Sequence, residues 1–335
     1  MPTADDELRN HCYVMINLMA KGSIIPFFGA GANLTNRPDG EPFIPNRYLP
    51  SAEELSIDMA KAFGYEWEIG TQPVYLPRVS WYADRKWGRS HLYRYLHDIL
   101  NQNYPPTDAH RFFATLPKKL EAKGYRRQQQ LILTTNYDDL LECAFKEAGE
   151  EYDVLSYIAD KSPSESQESV DKRKTSRFRY IPYDGDPDLV KHPNEFLPVP
   201  GRTIILKIHG AIDRSGWEHS SFVITEDDYL DYLSHMNSDE IYKIPSSVML
   251  MMNNKSFLFL GYSLGDWNLR VLLKGISEKR LFEDQSWAIM KKPKEWDQDY
   301  WLYHNVRLKT LPLDKYIEAL NEQLEILPDF PGASR

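Results

Sequence analysis

Cysteine is nearly absent from this chain: Cys12 and Cys143 are the only two among 335 residues, and they lie far apart. Two cysteines cannot form a four-cysteine zinc site, and there is no CxxC spacing typical of metal or redox motifs. Such low cysteine usage is typical of proteins that work in a reducing compartment. We therefore expect a cytoplasmic protein.

Long apolar runs are also missing. No stretch reaches the roughly 18 uninterrupted apolar residues of a membrane-spanning helix. The two richest stretches, VMLMM and SFLFLGYSL, are separated by NNK. The amino terminus is acidic at 5–7 and lacks the cationic region of a signal peptide. We expect a soluble protein without a membrane partner.

Excess positive charge is the third absence, since the formal net charge is −9. A global electrostatic attraction to nucleic acid is therefore not expected. The basic cluster Lys172-Arg173-Lys174 is interpreted as part of a solvated loop. Aromatic residues, in contrast, are plentiful, with 21 Tyr, 14 Phe and 8 Trp. They suit either an ordinary core or the walls of a pocket.

Apolar runs typical of buried strands alternate along the chain with amphipathic helical segments. The predicted strands are 131–135, 152–158, 203–210, 221–225, 256–261, 286–290 and 305–309, and a strand that ends in a turn is predicted over 23–31. The predicted helices begin near 7, 51, 90, 107, 137, 226, 266 and 313. This alternation predicts an α/β fold, a Rossmann-like, open, mostly parallel sheet with helices on both faces, plus a helical insertion.

We predict one domain over 1–335 with two insertions. Residues 36–125 lie between the first two strands and have mostly helical or loop-like patterns. Within them, Ser51 and Glu54 predict a capping box, and Gly64 predicts the end of that helix. Residues 160–200 are polar, charged and then rich in proline, which predicts a mobile insertion.

Small or polar residues follow four of the predicted strands. These segments are GAG at 29–31, TTNYD at 134–138, HG at 209–210 and GYSLGD at 261–266. In doubly wound sheets, ligands bind at the carboxyl ends of the strands. The four segments together therefore predict a site for a nucleotide or a similar polar ligand.

Each of these residues also has a structural interpretation. Asn136 could cap a helix that begins immediately after it, and Asp138 could favour the first turn of that helix. His209 could be a core histidine, while Ser263 and Asp266 could serve a turn and a helix cap. Other histidines lie in helical patterns and are interpreted as structural: His91, His97 and His110.

The motifs GAG, TTNYD, KIHG and GYSLGD, in this order, resemble the SIR2-like, or sirtuin-related, domain family. The resemblance extends from about residue 20 to about residue 330, and TTNYDDLLE is similar to the prokaryotic branch in particular. Leu34 stands where a dinucleotide fingerprint has its third glycine. Sirtuin-type loops instead follow GAG with a small or polar residue.

Two departures from sirtuin deacylases are visible. The chain cannot supply their four zinc-binding cysteines, and NRPDGEPFIPNRYLPS stands where they have a segment like GIPDFR. The chain is closer to bacterial SIR2-like effectors of antiphage defence, which hydrolyse NAD. This resemblance implies NAD as substrate, no zinc or other metal, a homo-oligomer, and a protein partner such as a HerA-type ATPase or an Argonaute-type protein. The chain looks like a stand-alone version, with no direct nucleic-acid binding.

The resemblance also implies roles for the site residues. Asn136 would hold the ribose hydroxyls or the attacking water through its amide, and His209 would accept a proton. Asp138 would orient the nicotinamide ribose or stabilise positive charge in the transition state. The residues expected to bind NAD are Gly29, Ala30, Gly31, Ala32, Asn33, Thr135, Gly261, Ser263 and Asp266.

Among these, the backbone amides of Ala30, Gly31 and Ala32 would face the pyrophosphate. Two other functions stay open from the sequence. One is an NAD or ADP-ribose sensor without catalysis, and the other is a zinc-free deacylase.

Overall fold

The computed structural model describes residues 3–66, 74–159, 177–236, 244–262, 285–293 and 295–331. The strands are β1 Ile24–Phe28, β2 Leu131–Thr134, β3 Tyr152–Tyr157, β4 Phe178–Ile181, β5 Asp188–Leu189, β6 Thr203–Lys207, β7 Gly210–Ala211, β8 Ser221–Phe222, β9 Ser256–Leu260, β10 Ser286–Met290 and β11 Val306–Thr310. The helices are α1 Ala4–Ala20, α2 Ala52–Phe63, α3 Leu76–Trp87, α4 Arg89–Leu100, α5 Asp108–Ala122, α6 Leu140–Ala148, α7 Glu226–Met236, α8 Ser246–Met252, α9 Glu295–Tyr303 and α10 Leu313–Ile326.

Nine strands form the central sheet, in the order β11-β10-β9-β1-β2-β6-β3-β4-β5. Every pairing from β11 to β3 is parallel, and β4 and β5 extend the β3 edge with antiparallel pairings. The central strands β1, β2 and β6 are buried along their whole length, as parallel strands covered on both faces must be. The predicted Rossmann-like α/β fold is confirmed.

The order of strands reverses at β1. The chain leaves β1 toward β2 on one side, while β9, much later in the sequence, pairs with β1 on the other side. Connections that run to opposite sides leave a crevice above the carboxyl ends of the strands, where doubly wound folds bind ligands. The site predicted from the four segments therefore belongs at this crevice.

Helices cover both faces of the sheet. One apolar core lies between the sheet and α1, α5, α6 and α10, and the other between the sheet and α7, α8 and α9. A third apolar cluster joins α2, α3 and α4 to the short β7–β8 hairpin through Ile212, Phe222 and Ile224. The helical insertion is thereby fixed beside the carboxyl end of β6, next to the crevice.

The ends of the helices within 36–125 follow the sequence signals closely. The capping box of Ser51 and Glu54 is confirmed, and Gly64 ends α2 with a φ of 65°. The helix predicted to begin near Ser90 is confirmed as α4, which begins one residue earlier, at Arg89, and has Gly88 and not Ser90 as its N-cap. Within 36–125, α2 to α5 account for the helical pattern.

The second predicted insertion is described only in part. Its residues 177–200 include β4 and β5, which pair with the edge of the sheet. Residues 160–176, with the basic cluster at 172–174, lie outside the described residues, as does the helix predicted to begin near 266. Among the helices of the described ranges, none is long and apolar enough to cross a membrane.

Candidate active site

A cleft with a cavity volume of about 130 Å³ lies above the carboxyl ends of β1, β2 and β6. Its polar wall consists of residues that follow the strands, with one residue of α7: Asn33, Thr135, Asn136, Asp138, His209 and Tyr229. Its apolar wall comes from the loop that follows Asn33, the helical insertion and its flanks: Leu49, Pro50, Leu55, Leu76 and Leu100.

Three glycines allow the turn after β1 to pack closely against the end of β9 at the base of the crevice. The Gly31 N–H donates to the carbonyl oxygen of Gly261 at 2.8 Å. A Cβ on Gly31 would lie 2.7 Å from that oxygen, and one on Gly29 would lie 2.8 Å from it. Gly261 has a φ of +72°, and a Cβ there would lie 2.1 Å from the backbone nitrogen of Ala32. Glycine is therefore required where these two backbones touch.

This packing uses two of the three amides predicted to face a pyrophosphate. The Gly31 N–H is bound to Gly261, and the Ala32 N–H donates to the Gly29 carbonyl at 2.9 Å. The turn continues as a short 3-10 helix, Ala30–Leu34, and not as an α-helix. A phosphate contact from these two amides is not supported in this arrangement, and the wider role of 29–32 in binding NAD stays a prediction.

Asn136 is held from both its backbone and its side chain. Its backbone N–H donates to Thr134 Oγ1 at 2.9 Å, and its Nδ2 donates to Gly29 O and to Asn33 Oδ1, each at 3.2 Å. Both side-chain N–H groups are thus engaged, so Oδ1 is the atom that can accept a hydrogen bond from a ligand. The helix-cap interpretation is wrong, because α6 begins at Leu140.

Asp138 joins the same network. Asn33 Nδ2 donates to Asp138 Oδ2 at 2.7 Å, and the Leu140 N–H donates to Asp138 Oδ1 at 3.1 Å. The carboxylate therefore does receive an amide of α6, although it precedes the helix and lies outside its first turn. Burial raises the pKa of Asp138, and the ammonium of Lys207 opposes that rise.

His209 follows β6 and is 3% exposed. Its ring stands edge-on to Tyr229 and Tyr232 of α7, with centroid distances of 5.6 and 5.4 Å. It also lines the cleft. The structure thus brings His209, Asn136 and Asp138 to one cleft, while showing that His209 is also packed as a core aromatic.

Lys207 is a site residue that the sequence predictions missed. It is the last residue of β6 and 1% exposed, yet its Nζ donates to the Asp138 carbonyl and lies 2.6 Å from Glu142 Oε1. Burial raises the pKa of Glu142, with Lys207 opposing the rise. The available signal was the lysine of KIHG itself, a charge at the end of an otherwise apolar strand.

Thr135 lines the cleft as predicted for a ligand-binding residue, but its hydroxyl also has a partner in the protein. Thr135 Oγ1 lies 3.0 Å from Tyr262 OH, and that phenol donates to the Phe28 carbonyl at 2.9 Å. Tyr262 was not predicted, although it stands within GYSLGD. Ser263 and Asp266 lie outside the described residues.

His110 has a structural role, as predicted. The Thr107 N–H donates to His110 Nδ1 at 3.1 Å, and the imidazole stacks on Phe28 with a centroid distance of 5.3 Å. Burial lowers the pKa of His110 to about 3, so the ring is neutral. In the part of the chain that the structure describes, no group of three or more His, Cys, Asp or Glu side chains could hold a metal ion.

Residues 130–309 match the model of the SIR2-like domain family, more than half of the chain. The chain belongs to the SIR2-like domain family. The matched range includes the TTNYD and KIHG motifs and Gly261, all of which contribute to the crevice.

Two relatives of this SIR2-like domain carry informative names. A segment of 257 residues, 76% of this chain, is 27% identical to the NAD(+) hydrolase ThsA of Enterococcus faecium and covers 40% of that protein. A segment of 146 residues, 43% of this chain, is 27% identical to defense-associated sirtuin 2 of Bacillus subtilis and covers 10% of that protein. The chain thus spans less than half the length of both relatives.

Proposed function

We propose that this SIR2-like domain hydrolyses NAD+ to nicotinamide and ADP-ribose in the cleft above β1, β2 and β6. The observation that carries the proposal is the network of Asn33, Asn136 and Asp138, which shares one cleft with His209. The similarity to a protein named NAD(+) hydrolase supports NAD as the substrate. A binding module would not need an oriented amide and an imidazole in the same cleft.

The chemistry follows from the leaving group. Nicotinamide departs as a neutral molecule, so its bond to ribose C1′ breaks with positive charge developing on the ribose. Asn136 Oδ1 accepts a hydrogen bond from the attacking water or from a ribose hydroxyl. The water oxygen bonds to C1′, and His209 takes the proton that the water loses. The buried carboxylate of Asp138 stabilises the positive charge.

The apolar wall supports this reaction. The leucines of the wall exclude bulk water from one side of the cleft. A lower local dielectric strengthens the attraction between the Asp138 carboxylate and a cationic transition state. The helical insertion thus contributes to catalysis without supplying a reacting group.

We further propose that the domain acts as an effector of bacterial antiviral defence by depleting NAD. The similarity to a protein named defense-associated sirtuin supports this role. A protein partner, such as a HerA-type ATPase or an Argonaute-type protein, would trigger the activity, and the chain would work as a homo-oligomer in the cytoplasm. NAD is the only cofactor in this proposal, and it is consumed as substrate without zinc.

The test measures nicotinamide release by chromatography from purified protein, together with the NAD content of an expressing bacterial host. We expect Asn136→Ala and His209→Ala each to lower turnover by at least about 100-fold, the usual range for loss of a general base. The exposed residues Asn10 and His192 provide matched controls as Asn10→Ala and His192→Ala. NAD that binds but stays intact in both assays, with the partner and its trigger present, would instead support a sensor. Release of acyl groups from acylated lysine peptides would support a deacylase.

A further inference from the structure

We propose that Lys207 is a positioning residue, which holds the loop 135–139 in the conformation that the cleft requires. Its role in catalysis rests on the proposed function, but its effect on the loop does not. Lys207 is absent from the lining of the cleft, so it acts on the site through other residues.

The position of Lys207 in the sheet allows it to span this loop. In the parallel pairing of β2 and β6, Lys207 lies beside Thr134, the residue at which β2 ends and the loop begins. Its ammonium reaches forward to the carbonyl of Asp138, near the end of the loop. One side chain thus connects the two ends of the segment that carries Asn136.

The charges around the loop make Lys207 the buried cation on which two carboxylates depend. Asp139 has its own partner, since Arg214 Nε lies 2.6 Å from Asp139 Oδ2. Asp138 and Glu142 are both buried, and Lys207 interacts with each of them. Glu142 Oε2 is buried without a hydrogen-bond partner among the described residues. Loss of the ammonium would therefore leave uncompensated buried charge beside the loop.

The consequence passes to the site in defined steps. Lys207 fixes the backbone at Asp138, the Asp138 carboxylate accepts from Asn33, and Asn33 accepts from Asn136. This series and the Gly29 carbonyl together fix the direction of the Asn136 amide, so a displaced Asp138 would remove one of the two contacts that orient Oδ1 toward its ligand. Misplacement of a reacting group by about 1 Å can lower a rate on the order of 100-fold.

The test separates positioning from simple ion-pair stability with a double variant. Lys207→Met with Glu142→Met removes the cation together with one of its buried carboxylates, so the core is not left with the full charge imbalance. Glu142→Gln alone retains an acceptor for Lys207 and its contact with Asp138, and serves as the matched control. If the methionine pair does not fold, Lys207→Gln with Glu142→Gln provides two side chains that can bond to each other.

The measurement is hydrogen exchange of segment 134–141, followed by mass spectrometry, with the remaining strands as the internal standard for folding. We expect at least about tenfold faster exchange in the double variant, the effect of one lost hydrogen bond to a charged group, and wild-type exchange in the control. With NAD, we expect kcat to fall by about 100-fold while KM changes little. Unchanged exchange in 134–141 would overturn the proposal whatever the activity. Faster exchange in a protein whose wild type leaves NAD intact even with the partner and its trigger present would instead retain the role of Lys207 and reject the proposed function.

Discussion

Asn136 Nδ2 donates to Asn33 Oδ1 at 3.2 Å, although the two residues are separated by 103 positions in the sequence. This contact joins the loop after β1 to the loop after β2, at the point where the strand order reverses. Since the Asn33 amide donates in turn to Asp138 at 2.7 Å, each side chain fixes the orientation of the next. The acceptor atom of Asn136 is oriented before any ligand arrives.

Asn33 is therefore predicted to matter for rate. Asn33→Asp would place a second carboxylate beside Asp138. It would also remove the side-chain N–H that donates to the Asp138 carboxylate, so the two carboxylates would repel each other. On the proposed function, we expect kcat for NAD hydrolysis to fall by about 100-fold. Asn33→Ala removes the contacts without adding charge, so it should lower kcat less. Steady-state kinetics of both variants make the comparison, and equal losses would show that charge repulsion plays no part.

The glycine contact below the cleft leads to a prediction about stability. Gly261→Ala would place a Cβ 2.1 Å from the nitrogen of Ala32, at a φ of +72°. Gly64→Ala is the matched control, because its φ is +65° and nothing lies within 4 Å of the added carbon. We expect backbone strain to lower the free energy of unfolding of the control by about 1 kcal/mol. Gly261→Ala should lower it clearly more. Thermal unfolding of the two variants measures the difference, and equal shifts in Tm would contradict steric contact.

Much of the fold could be predicted from the sequence because buried parallel strands have an unmistakable composition. IIPFF, LILT, TIILK and SFLFL are mostly apolar runs, and among the described residues those that follow these runs meet at one edge of the sheet. The start of α6 was harder to predict, because TNYDD contains several residues that can cap a helix. Asp139 occupies the cap position, and Asn136 is free for the network.

Other parts of the site depend on contacts that the sequence does not show. The partner of the Gly31 amide is the carbonyl of Gly261, more than 200 residues away, and no local pattern shows that approach. The strands β4 and β5 lie in a polar segment without an apolar run, and β5 is exposed, so no pattern marked them. The tyrosines that pack against His209 come from α7. The sequence pattern of α7 predicts a helix, but it does not predict that this helix packs against His209.

The neutral His110 predicts a dependence of stability on pH. Its pKa is about 3 in the folded protein against 6.5 for the free side chain, because burial disfavours the charged form. The unfolded chain binds the proton first, so the stabilisation is present above pH 6.5 and is lost as the pH falls from there toward 3. The slope for one such group is at most about 1.4 kcal/mol per pH unit.

His110→Gln tests this origin directly. Glutamine can accept from the Thr107 N–H as in a common capping box, and it does not titrate. We expect the variant to show a shallower fall of Tm between pH 6.5 and pH 4 than the wild type, measured by calorimetry. His11, whose pKa burial lowers to about 4, should retain part of the dependence in both proteins. Parallel curves for the two proteins would exclude His110 as a source.

The last prediction concerns the attachment of the helical insertion to α7. Arg89 of α4 donates to both oxygens of Asp228, at 2.9 and 3.0 Å, and their side chains are 13% and 2% exposed. Tyr229, which packs against His209, is the next residue in α7. Arg89→Met would leave Asp228 as a buried carboxylate without this partner, so we expect a loss of about 3–5 kcal/mol.

Arg85→Met is the matched comparison, because Arg85 pairs with Asp227 of the same acidic run but is 60% exposed. Exposed pairs contribute about 0–1 kcal/mol, so this variant should unfold close to the wild type. Chemical denaturation of both variants gives the stabilities. NAD turnover at denaturant concentrations below those that unfold the protein shows whether the attachment also orients His209 through Tyr229. A small loss for Arg89→Met would mean that the backbone N–H groups of Ile224 and Thr225, which also donate to Asp228, are sufficient to stabilise its carboxylate. Unchanged turnover in a folded Arg89→Met protein would mean that the position of α7, and with it the His209 ring, does not depend on this pair.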